Sequence, residues 1–324
     1  MRIFSGIQPT GAIHIGNYLG AIRQFVELQA KNECVFSIVD LHAMAAPYKT
    51  EEMPNNVLDA AVAYIASGID PEKSILFVQS QVPEHTELSW VLNCVTPAGD
   101  LLRMTQYKEK ARQFKDNINA GLLNYPILMA ADILIYKTEM VPVGHDQSQH
   151  VELARTIARK FNQRFGQTFP EPKLKLPGAG ARIMSLTDPK KKMSKSVPSS
   201  CLYLFDEPET IKKKIMAAVT DLGKEIKYDL AKKPGVSNLL TIYSLFSEKP
   251  IKDLEKRFKG QGYAKFKEKL ADLLIEKLEP LRRKRKELLS RKVYVKEILD
   301  QGAKKAKNIA QSTMKEVREK TGLV

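Results

Sequence analysis

Cysteine is nearly absent. Cys34, Cys94 and Cys201 are the only three in 324 residues, and none lies near another in sequence. An odd, scattered set argues against a disulfide framework, and without close Cys or His pairs there is no zinc-site spacing either. A reducing cytosol is the expected compartment. Long apolar runs are missing too: nothing approaches the roughly 20 apolar residues that a membrane helix needs. Turn chemistry begins by Gly6, so the N-terminus lacks the apolar h-region of a secretory signal. There are no internal repeats and no low-complexity tracts. The common phosphate-binding strings are also absent. No Walker A sequence occurs, and Gly178-Ala179-Gly180 lacks the third glycine of a dinucleotide fingerprint. A nucleotide, if bound, has to be held by another device.

Positive charge, by contrast, is in excess. The formal net charge is +15, and residues 251–324 hold 22 Lys and Arg against 11 Asp and Glu, so +11 falls in the last 74 residues. A basic block of this size is an electrostatic footprint for a polyanion. Composition alone is equally consistent with a Lys-rich solvated surface. The length fits about two domains.

The first half alternates short apolar runs with helical spacing. Arg2–Gly6, Cys34–Asp40, Ser74–Gln79 and Met140–Gly144 read as strands. Tyr18, Ala21, Ile22 and Phe25 recur at helical intervals, as do Leu58, Ala61, Val62 and Ile65, after which Gly68 sits where a C′ glycine ends a helix. A further helix carries Val151, Ala154, Ile157, Ala158 and Phe161. Strand–helix–strand repetition predicts an α/β domain with a Rossmann-like parallel sheet covered on both faces, binding ligands beyond the carboxyl ends of its strands. From about residue 205 the strand signals fade. Segments 208–219, 236–247, 251–258, 264–289 and 294–319 read as helices, which predicts an all-α second part after a loop near 187–205.

Two strings carry chemistry. In Gly6-Ile7-Gln8-Pro9-Thr10-Gly11-Ala12-Ile13-His14-Ile15-Gly16-Asn17 a strand ends, a Pro/Gly turn follows, and a helix begins. Glycine lets the backbone approach a ligand closely, and a helix N-terminus offers unpaired N–H groups to phosphate. The plain alternative is an ordinary strand–turn–helix with a capping Asn17. In Lys192-Met193-Ser194-Lys195-Ser196, two lysines three apart can neutralise charge that grows on a leaving pyrophosphate; a solvated basic linker is the alternative.

Together these strings resemble the two signatures of the class I aminoacyl-tRNA synthetases, the HIGH-type motif (here His14-Ile15-Gly16-Asn17) and the KMSKS loop, in the same order and at a similar separation. The resemblance sharpens to the tryptophanyl-tRNA synthetase family over Phe4–Gly11, Ile38–Ala43, Tyr125–Leu134, Val141–Gln147 and Gly180–Leu186, and it covers essentially the whole chain. Asn17 replaces the final His of the motif, Val197 stands where an Asp is common, and residues 111–119 match poorly.

The resemblance implies that residues 1–190 form the catalytic domain, with a dimer-contact insertion near 100–140. It implies that residues 191–205 form the lysine loop and linker, and that residues 206–324 form a helical anticodon-binding domain, whose last helix is open to packing back on the catalytic one. By the same resemblance ATP, accompanied by Mg²⁺, meets Gln8, Pro9, Thr10, Gly16 and Asn17, then Gly144, His145, Asp146 and Ile183, and Lys192, Met193, Ser194, Lys195 and Ser196. Lys192, Lys195 and Lys110, with His14 and Asn17, are implied to act on the triphosphate, and no protein-bound metal is expected. The implied partners are tRNA(Trp), L-tryptophan, ATP and a second copy of the chain, with no membrane.

A third constellation selects the amino acid. On a helix, Tyr125, Met129, Asp132 and Ile133 share one face. An aspartate among apolar neighbours is costly to bury without a donor. Indole is a donor only, so an ionised acceptor suits it. By the resemblance Asp132 accepts the indole N–H, Phe4, Met129, Val141 and Val143 form the slab around the ring with Gly6 and His42 beside it, and Gln147 and Tyr125 hold the ammonium. Without the resemblance, Asp132 reads as a helix cap or a surface ion-pair partner, and Tyr125 and Met129 read as core. A tyrosine-specific ligase of the same fold and a non-catalytic RNA-binding paralogue are the rival functions.

Overall fold

The computed structural model describes residues 1–9, 12–113, 118–176, 183–194 and 197–323. Thr10, Lys195 and Ser196, named above as ATP contacts, lie outside the described residues, as do parts of the 111–119 and Gly180–Leu186 stretches.

Five parallel strands form one sheet: β1 (Arg2–Ile7), β2 (Glu33–Ile38), β3 (Ser74–Val78), β4 (Met140–Pro142) and β5 (Lys173–Lys175), in the order β3-β2-β1-β4-β5. The α-helices along the chain are α1 (Ile15–Asn17), α2 (Arg23–Gln29), α3 (Asp40–Ala43), α4 (Met53–Ala66), α5 (Glu84–Asn93), α6 (Ala98–Leu102), α7 (Thr105–Gln113), α8 (Ala120–Leu134), α9 (Ser148–Phe165), α10 (Pro208–Ala217), α11 (Pro234–Ser247), α12 (Ile251–Arg257), α13 (Gly262–Ser290) and α14 (Lys292–Thr321). The α/β sheet followed by helices is the architecture that the alternating pattern predicts.

Differences are local. Tyr18–Ile22 winds as a π-helical turn rather than as plain α-helix. The strand that begins near Cys34 ends at Ile38, and Asp40 opens α3. β5 carries Lys-Leu-Lys, a charged edge strand with no apolar run to announce it. Gly68 has φ +108 and follows the Ser67 cap of α4, a conformation that glycine adopts without a Cβ clash.

The chain forms two compact units. The first comprises Met1–Thr10, Gln24–Pro177 and Arg291–Val324; the second comprises Gly11–Arg23 and Gly178–Ser290. In the first unit the core runs from Phe4 and Val35 on the sheet through Ile127, Ile133 and Tyr136 to Ala303, Ala306, Ala310, Met314 and Val317 of α14. The alanine-rich face of α14 allows close approach to β3: a Cβ on Gly302 would lie 1.9 Å from the Leu76 carbonyl oxygen. In the second unit, α10, α11 and α13 pack around Ile211, Ile215, Leu240, Phe266 and Leu274. Tyr243, Phe258 and Phe266 form an aromatic knot there, with ring centroids 5.1–6.1 Å apart.

Candidate active site

Beyond the carboxyl ends of β1, β2 and β4 the first unit holds a cavity of about 650 Å³, its open mouth included. This is where parallel sheets usually take ligands. β1 contributes Phe4 and Gly6, and Gln8 follows. β4 and its exit contribute Val141 and Val143. The turn His145–Gln147 brings in Gln147, and α3 brings in His42. From α8 come Tyr125, Met129, Asp132 and Ile133, and from α7 Gln106 and Lys110. All nine residues assigned to tryptophan thus line one cavity, together with Gln8 and Lys110.

Asp132 is 1% exposed and neither caps a helix nor pairs with a surface lysine. Its Oδ1 accepts from Gln79 Nε2 at 2.6 Å and lies 2.6 Å from His85 Nδ1, and its Oδ2 lies 2.7 Å from His42 Nε2. Burial alone would raise its carboxyl pKa. The charge of His42 and hydrogen bonds from His42 and His85 outweigh burial and hold it well below the usual carboxylate range. The site therefore presents an ionised acceptor among apolar cavity walls, a charge tolerated because Gln79, His85 and His42 hydrogen-bond it.

At the polar end, Tyr125 Oη donates to Gln106 Oε1 at 3.3 Å and lies 3.1 Å from Nε2 of the buried His150. Burial first, and Glu109 second, push the Tyr125 hydroxyl up to about 12, so it stays protonated. Lys110 Nζ stands 4.2 Å over the Tyr125 ring, and burial draws its pKa down. Gln147 Nε2 donates to Asp146 Oδ2 at 2.9 Å. Gly144 caps the His145–Gln147 turn, and a Cβ there would lie 2.8 Å from Asp146 Oδ1. Gln79, His85 and His150, which are buried, and the half-buried Gln106 escaped sequence reasoning, because polar side chains next to a turn or on a helix look like surface residues until their partners are known.

The second unit carries the other string. His14 caps α1: its Nδ1 accepts from Asn17 N at 3.2 Å, and Asn17 Oδ1 accepts from His14 N at 3.4 Å, a reciprocal capping box. The acceptor role at Nδ1 sets the His14 tautomer, with its proton on Nε2. A Cβ on Gly16 would lie 3.0 Å from the His14 ring. Ile13 and Ile15 pair through their backbones with Leu204 and Leu202. The lysine string is anchored through Met193, which is buried and donates from its N–H to the Ile183 carbonyl, while Lys192 and Ser194 are exposed. Asn238 of α11 grips Met184 at both backbone groups, at 2.9 and 3.0 Å. Among the described residues no cluster of His, Cys, Asp and Glu could hold a metal ion, and no helix is long and apolar enough to cross a membrane.

Residues 1–279 match the family model described as tRNA synthetases class I (W and Y). A tryptophan–tRNA ligase of Caldanaerobacter subterraneus subsp. tengcongensis is 51% identical over 325 aligned residues, covering 100% of this chain and 98% of the relative. The crystal structure of tryptophanyl-tRNA synthetase from Campylobacter jejuni complexed with ADP and tryptophan matches with a TM-score of 0.86 at 41% identity, covering both chains fully. That of the Mycoplasma pneumoniae tryptophanyl-tRNA synthetase matches at 0.89 with 34% identity, covering 100% and 98%. With a family model spanning most of its length and a half-identical relative matched from end to end, the chain belongs to the class I tRNA synthetases of the tryptophan and tyrosine type and, within them, to the tryptophan–tRNA ligases.

Proposed function

We propose that the chain activates L-tryptophan with ATP and transfers it to tRNA(Trp), using the cavity beside α8 as the amino-acid site. In the first step the tryptophan carboxylate attacks the α-phosphorus of ATP. The new C–O–P link forms as the bond to the bridging oxygen of diphosphate breaks, giving tryptophanyl-adenylate. In the second step a hydroxyl of the terminal tRNA ribose attacks the adenylate carbonyl and AMP leaves. The protein supplies no nucleophile; alignment of the reactants and stabilisation of charge on the transferring phosphoryl group carry the rate.

The observation that carries this reading is the ionised, back-bonded Asp132 in an apolar slot. A phenylalanine side chain would leave that acceptor unpaired, a penalty that rejects it. In the proposed assignment Phe4, Gly6, His42, Met129, Val141 and Val143 enclose the indole, and Tyr125 and Gln147 take the ammonium. Gln8, Pro9, Thr10, Gly144, His145, Asp146, Gly16, Asn17, Ile183, Met193, Ser194 and Ser196 contact ATP. His14, Lys110, Lys192 and Lys195 act on the charge of the departing diphosphate, and Mg²⁺ arrives as part of the nucleotide substrate.

By the same reading residues 1–190 carry the adenylation chemistry, 191–205 the lysine loop and linker, and 206–324 the anticodon contacts. The enzyme works in the cytoplasm as a homodimer. Diphosphate exchange into ATP, measured with each amino acid in turn, tests the reading: tryptophan-dependent exchange is expected, and exchange with tyrosine, or none, overturns it.

A further inference from the structure

A carboxylate has about four lone-pair positions on its two oxygens. Three are filled at Asp132 by Gln79 and His85 on Oδ1 and by His42 on Oδ2. His42 lines the cavity; Gln79 and His85 do not. Oδ1, held by groups that do not line the cavity, is therefore saturated, and among the described residues one acceptor position remains, on Oδ2. A single vacancy matches a ring with a single N–H.

We propose that His85 is the positioning residue that creates this vacancy, by clamping Asp132 from behind and so selecting an indole by its one donor. The proposal rests on the reading that Asp132 takes the indole N–H. His85 is fully buried, and its Nε2 lies 2.7 Å from the Tyr136 hydroxyl. Burial, and next the carboxylates of Asp132 and Glu84, push the Tyr136 hydroxyl far up, so it keeps its proton. The tautomer that leaves no buried donor unpaired has Tyr136 Oη–H donating to His85 Nε2 and Nδ1–H donating to Asp132 Oδ1. Both faces of the relay are held by rings. His85 packs at 5.8 Å from Phe77 and 5.4 Å from Tyr136, and Tyr136 stacks on Phe4, a wall of the cavity, at 5.7 Å and 14°. One relay thus orients the acceptor and supports the apolar wall. Without the His85 donor, Oδ1 keeps only Gln79 and gains an open position, so the carboxylate is held less firmly and no longer offers a single vacancy.

The test is diphosphate exchange with tryptophan and with its 3-benzothienyl analogue, whose ring has sulfur in place of N–H. The wild type is expected to favour tryptophan strongly in kcat/KM. His85→Leu should lower the tryptophan-to-analogue ratio about tenfold, through the tryptophan KM, with the analogue and ATP KM values within about twofold. His85→Asn, whose amide nitrogen can stand near the Nδ1 position, should restore most of the ratio. A merely structural role would move both amino acids together; that result, or an unchanged ratio, overturns the proposal. If His85→Leu fails to fold, Tyr136→Phe carries the test, with a partial loss of the ratio expected and full retention overturning it. A wild type that does not prefer tryptophan to the analogue overturns the Asp132 reading and this proposal with it. A preference that His85→Leu leaves undiminished overturns the proposal alone.

Discussion

His150 shows how a buried residue ties the pocket to solution conditions. It is 1% exposed, and its Nδ1 has no partner among the described residues. Burial first, and then the charges of Lys110 and His42, drive its pKa down to about 4, with Asp146 opposing. The folded value lies below that of an unfolded histidine, about 6.5. The unfolded chain therefore binds more protons between these values, and stability is lost as pH falls from about 6.5 to 4. From pH 8 to pH 5 this one group should cost about 2 kcal/mol. Urea unfolding of His150→Asn should show a pH 8 to pH 5 decline smaller than that of the wild type by about this amount; equal declines would mean that His150 already carries its proton in the fold. At this scale part of the site was legible. Tyr125, Met129, Asp132 and Ile133 share a cavity because helical geometry puts them on one face, and sequence spacing displays that. The donors behind Asp132 were not legible, because Gln79 and His85 lie 53 and 47 residues away in sequence. Local pattern holds no trace of a pairing across that distance.

Elements were legible where apolar pattern and length agreed. β1, β2 and β3 are runs of buried residues, and the long helices of the second half begin or end within a few residues of their expected bounds. β5 was invisible, since three residues with two lysines have neither alternation nor an apolar run. The partner of the last helix was left open, with packing back on the catalytic domain as one possibility that only the resemblance supplied. Its apolar stripe could be read, but the surface it serves could not, because helical periodicity says which face is buried and nothing about what buries it. Gly302 marks that surface. The backbone of α14 meets Leu76 of the edge strand β3 there, and a methyl group would overlap the carbonyl. Gly302→Ala should favour the helix locally, yet destabilise the protein by about 2–3 kcal/mol, since a packed backbone cannot accommodate the added carbon. Lys304→Ala, at an exposed position on the same helix, is the control and should leave thermal unfolding unchanged. If Gly302→Ala melts like the wild type, α14 does not press on the strand as described.

At the scale of the whole molecule the dominant fact is charge. The basic block of the last 74 residues divides between the two compact units, with 13 Lys and Arg in 251–290 and 9 in 291–324. Even the densest run is not all available. Arg282 is buried, bonded to Glu279 and to the carbonyls of Ile275 and Asp206. Lys284 pairs with Glu287, whereas Arg283 and Lys286 are exposed. Basic side chains on such a helix therefore sort into structural and solvent-facing sets, as helical geometry requires. If the solvent-facing set meets tRNA phosphates, affinity must fall with salt through counterion release. About four contacts predict a roughly 50- to 150-fold weaker Kd on going from 50 to 200 mM salt. If tryptophan is held in the desolvated pocket around Asp132, as proposed, its recognition should change far less, because buried charges are screened little. The two responses can be read on one preparation, by tRNA binding and by tryptophan-dependent diphosphate exchange. Replacing Arg283 and Lys286 by Ala should flatten the tRNA salt slope by up to about two contacts' worth and leave exchange untouched. A tRNA affinity that moves less than about twofold over that range would make the net charge of the chain a solvated surface and nothing more.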